Sequence, residues 1–88
     1  MPLISQFYGI LIYIYSEAGG QHNTPHFHAI YAEYEAVFDL DGNLVTGELP
    51  KNKKRLLEAW CSLHGEELNA AWRAWNESHE IVKIDGLR

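Results

Sequence analysis

The chain has 88 residues, enough for one domain and no more. Its net charge of −5, from seven basic and twelve acidic residues, disfavours a broad nucleic-acid interface, where a basic face supplies most of the affinity. Its one cysteine, Cys61, excludes an intramolecular disulfide and a cysteine-based zinc site.

A domain of this size buries only about 60–65% of its unfolded surface. A few large side chains must therefore carry much of the core, and three Trp, five Tyr and three Phe are available. Phe7 to Tyr15 is rich in β-branched and aromatic residues, apolar on both faces and without helical spacing, which predicts a central strand with a bulge or close backbone approach at Gly9. Ser16 to Pro25 reads as a loop, loosened by Gly19-Gly20 and closed by the turn signal Asn23-Thr24-Pro25. His26 to Tyr31 and Tyr34 to Leu40 read as two further strands joined tightly near Ala32-Glu33. Alternation places Tyr34, Ala36, Phe38 and Leu40 on one face and Glu35, Val37 and Asp39 on a wetter one. Asp41-Gly42-Asn43 signals a hairpin turn into a short fourth strand over Leu44 to Gly47.

Pro50 opens a helix, its ring suited to the first helical position. Leu56, Trp60 and Leu63, with Leu57 beside them, form an apolar stripe, and Cys61 reads as a buried, inert thiol on that helix. Gly65 is a stop signal. Glu66 and Glu67 then open a second helix, where negative charge suits the dipole, and Leu68, Ala71, Trp72 and Trp75 give it a core face. Asn76 to His79 breaks this helix, and Glu80 to Ile84 reads as a short C-terminal edge strand. The predicted fold is α+β: a four-stranded antiparallel meander followed by a helical hairpin, with a short C-terminal strand.

No basic region followed by an apolar stretch and a cleavage site opens the chain, and the longest apolar run is too short to span a bilayer as a helix. The expected compartment is the cytoplasm, with no membrane partner.

His22, His26 and His28 fall within seven residues. Spacing of two on a strand sends His26 and His28 to one face, and His22 joins them where the preceding loop folds back. Three converging imidazoles are a candidate site for a divalent transition metal such as Zn²⁺ or Ni²⁺. The same geometry suits general acid–base chemistry, with His26 and His28 as candidate catalytic residues. The competing reading has them closing a strand end by bonding backbone carbonyls or Tyr hydroxyls. Among Glu33, Glu35, Asp39 and Asp41, one carboxylate in register could orient a histidine on the paired strand; the alternative is a solvated edge.

Lys51, Lys53, Lys54 and Arg55 hold four of the seven basic residues. They lie where cations oppose the helix dipole, so an anion or an acidic partner would relieve the conflict. The alternative is a solvated face.

In Ile4-Ser5-Gln6-Phe7-Tyr8-Gly9-Ile10, Pro25-His26-Phe27-His28, Tyr34-Glu35-Ala36, Gly47-Glu48-Leu49-Pro50, Glu58-Ala59-Trp60, Leu63-His64, Glu67-Leu68 and Trp72, the chain resembles the domain of unknown function 4160 family of small bacterial proteins. It departs from the family pattern at Thr24, often Pro, and at Gln21, often an acid. The resemblance implies one half of a two-gene, toxin–antitoxin-like module, with a small protein partner encoded nearby. A protein-interaction or regulatory module is therefore the leading expectation, with a homodimer also a candidate. The alternative is a histidine- or metal-dependent hydrolase or nuclease.

Overall fold

The computed structural model describes residues 2–14 and 24–87. Within them the fold is α+β, an antiparallel sheet followed by two helices. The sheet has five strands: β1 (Leu3–Phe7), β2 (Ile10–Tyr13), β3 (His26–Tyr31), β4 (Tyr34–Asp39) and β5 (Leu44–Gly47). Each pairs with the next in chain order, so the sheet is a meander.

The expected four strands become five because Phe7 to Tyr15 is not one strand. Tyr8 and Gly9 both take positive φ, 49° and 81°, and Phe7 pairs with Ile10. This is a two-residue turn with two left-handed central residues, whose twist matches that of the flanking strands. Gly9 is thus a turn residue and not a bulge, and Leu3–Phe7 folds back as an unforeseen first strand. The expected tight joint at Ala32-Glu33 is present, with Tyr31 opposite Tyr34. Between β4 and β5, Gly42 takes φ 92° and Gly42 N–H donates to the Asp39 carbonyl, closing the predicted hairpin.

Alternation gives the sheet two unlike faces. Ile10, Ile12, Phe27, Ala29, Ala36 and Phe38 are buried on one. Leu11, Tyr13, Ile30 and Val37, half-buried, lie on the other with His28.

The helices α1 (Lys51–Leu63) and α2 (Gly65–Ser78) cover the first face and meet at His64 alone. The His64 N–H donates to the Trp60 carbonyl, and its own carbonyl accepts from Leu68. Gly65 therefore opens α2 rather than standing between helices. Pro50 is the residue before α1, and α2 runs past Asn76 to end at a left-handed His79. The stripe of α1 that reaches the core is Leu57, Trp60 and Cys61; Leu63 is 69% exposed. Trp60 is the hub, fully buried, with its ring 5.1 Å from Phe7 and 5.9 Å from Phe27.

The expected C-terminal strand does not form. Residues 80–87 instead form an irregular tail, of which Lys83 to Gly86 lie along the outer edge of β1. Ile84 N–H donates to the Ile4 carbonyl at 2.8 Å, Lys83 Nζ to the Leu3 carbonyl at 2.7 Å, and Trp60 Nε1 to the Asp85 carbonyl at 2.9 Å. A Cβ on Gly86 would stand 2.6 Å from the Gln6 carbonyl oxygen, so only glycine lets the tail lie this close. No helix among the described residues is long and apolar enough to cross a membrane.

Candidate functional site

Pro25 cannot donate a backbone hydrogen bond and biases Thr24 towards extended backbone, so the chain enters β3 directly at His26. The predicted same-face pair is present. The His26 and His28 rings lie 5.4 Å apart at 65°, edge to face. His26 is half-buried and also contacts the Trp72 ring of α2 at 5.1 Å. His28 is buried in the sheet, opposite Tyr13 on β2 and Val37 on β4.

His26 Nδ1 lies 2.9 Å from the Thr24 carbonyl oxygen. A carbonyl only accepts, so Nδ1 carries a proton, and in the neutral ring the lone pair is then on Nε2. That is the tautomer a general base or a metal ligand needs. His22 lies outside the described residues. Among the described residues no three His, Cys, Asp or Glu side chains gather where they could hold a metal ion.

The residue opposite His26 on β4 is Asp39, as a carboxylate–histidine pair would require. Its oxygens are turned to the hairpin instead. Oδ1 accepts from Asp41 N–H and Asn43 N–H, each at 2.9 Å, and Oδ2 accepts from Asn43 Nδ2 at 3.0 Å. Partial burial pushes the Asp39 carboxyl up, but these donors outweigh it and hold it below the ordinary carboxylate value. Asp39 organises a turn, and the backbone carbonyl of Thr24 orients His26. Glu35 stands opposite Ile30, and Glu33 and Asp41 are exposed turn residues.

The basic run opens α1 as expected, with no side-chain cap and no acid in its first turn. Its four members are not equivalent. Lys53 Nζ donates to the Tyr8 carbonyl at 2.9 Å and sits 4.7 Å from the centre of the Tyr31 ring. It therefore straps the β1–β2 turn to the helix and gains a cation–π contact. Lys51 and Arg55 are exposed and Lys54 half-buried.

One histidine–carboxylate pair escaped the sequence reading. His64 Nδ1–H donates to Glu67 Oε1 at 2.6 Å, beside a surface depression of about 360 Å³ lined by Ser62 to Glu67. Its signal is a residue just before a helix with an acid three positions later, the spacing of a capping box.

The two sheet edges also differ. The tail covers β1. All four residues of β5 are exposed, including Leu44 at 42% and Val45 at 61%.

Compared with protein families, the chain matches the model of a domain of unknown function (DUF4160) over residues 9–73. The chain belongs to the domain of unknown function 4160 family. Comparison with curated proteins and with solved structures finds no match. The DUF4160 match begins at the turn glycine Gly9 and ends in α2. It takes in the histidine pair, the basic run and β5, and leaves out β1 and the tail that covers it.

Proposed function

We propose that this protein is a protein-interaction or regulatory module, docking a partner through the outer edge of β5 as one half of a bacterial, toxin–antitoxin-like pair. The observation that carries this reading is the unequal treatment of the two edges. An edge strand offers unpaired N–H and C=O groups to any extended chain, and proteins generally cover or blunt such edges. Here a tail bonded at Ile84 and Lys83 runs along β1, while β5 has no such cover among the described residues and exposes two apolar side chains. Strand addition at an open edge is a common mode of peptide recognition, in which main-chain bonds give affinity. Co-expression with the product of the neighbouring gene is expected to yield a stoichiometric complex with slowed amide exchange over residues 43–48. A chain that stays free of that product overturns the reading.

A second reading, a histidine-dependent hydrolase or nuclease, draws support from the lone pair left on His26 Nε2 beside His28. It predicts that His26→Gln abolishes RNA cleavage or metal uptake while leaving the thermal transition in place. Purified protein that neither cleaves nor binds Zn²⁺ or Ni²⁺ removes it.

A further inference from the structure

We draw no further inference here: the strongest candidate, the edge strand β5 with its exposed Leu44 and Val45, carries nothing beyond the docking reading already made, because nothing in the structure shows what covers it.

Discussion

Trp60→Phe tests how the core holds the tail. Trp60 is fully buried, its ring packs on Phe7 and Phe27, and its Nε1 donates to the Asp85 carbonyl. Phenylalanine keeps an aromatic ring but loses the donor and leaves a gap. The hydrogen bond contributes about 1 kcal/mol net. The volume lost, roughly 40 Å³ at about 24 cal/mol per Å³, adds about 1 kcal/mol, and lost transfer free energy brings the sum to about 2–3 kcal/mol. Asp85 is exposed, so water satisfies its freed carbonyl and little more is added. For 88 residues the whole stability is about 4–13 kcal/mol, so the loss is a large share. Thermal unfolding followed by circular dichroism should fall by about 10–20 °C. The Ile84 amide, bonded to the Ile4 carbonyl, should lose more exchange protection than the amides of β3. A loss under about 0.5 kcal/mol with Ile84 protection unchanged refutes the claim that Trp60 anchors the tail.

Three further outcomes follow from single side chains. Burial, with help from the Asp39, Asp41 and Glu58 charges, pushes the Cys61 thiol up to about 12, so a thiol reagent at pH 8 should label it only on unfolding. The folded value lies above the ordinary 9.0; the stabilisation linked to this thiol is therefore complete below pH 9 and lost as pH rises towards 12, which denaturant titrations across that window would register. Asp39 runs the other way: its value is lowered, so its contribution is present above its ordinary 3.8 and lost as pH falls below that. Asp39→Ala should cost about 1–2 kcal/mol at pH 7, and urea midpoints for variant and parent should draw together under acid. Lys53→Met should cost about 0.5–1.5 kcal/mol by loosening the Tyr8 turn, whereas Arg55→Met should change stability by less than about 0.5 kcal/mol; equal costs would mean that Lys53 is not a strap.

Where a feature depends on local period, the sequence was enough. Tyr34 to Leu40 alternates, and Ala36, Phe38 and Leu40 are indeed inside while Glu35 is out. The His26–His28 pair rests on the same period of two. Asp41-Gly42 carries its own turn chemistry. The first hairpin was missed because apolar residues run without a break from Phe7 to Ile14. Tyr8 is also a poor advertisement for a left-handed turn position, usually filled by Asn, Asp or Gly. In the first helix Leu57, Trp60 and Cys61 are buried and Leu56 packs against them, but Leu63 is outside, because both registers offer apolar side chains and the sheet decides between them.

The candidate site was half legible for a related reason. Residue types announced histidines, carboxylates and cations, but partners are set by the fold. Asp39 stands opposite His26, yet the turn at Asp41–Asn43 takes its oxygens first, because local donors cost less chain entropy to reach. Lys53 finds its carbonyl at Tyr8, 45 residues earlier, which no local pattern could announce. The unlike edges of the sheet are further still from sequence. They follow from strand order and from where the tail returns to β1, through bonds from Ile84 and Lys83 to a strand some 80 residues earlier.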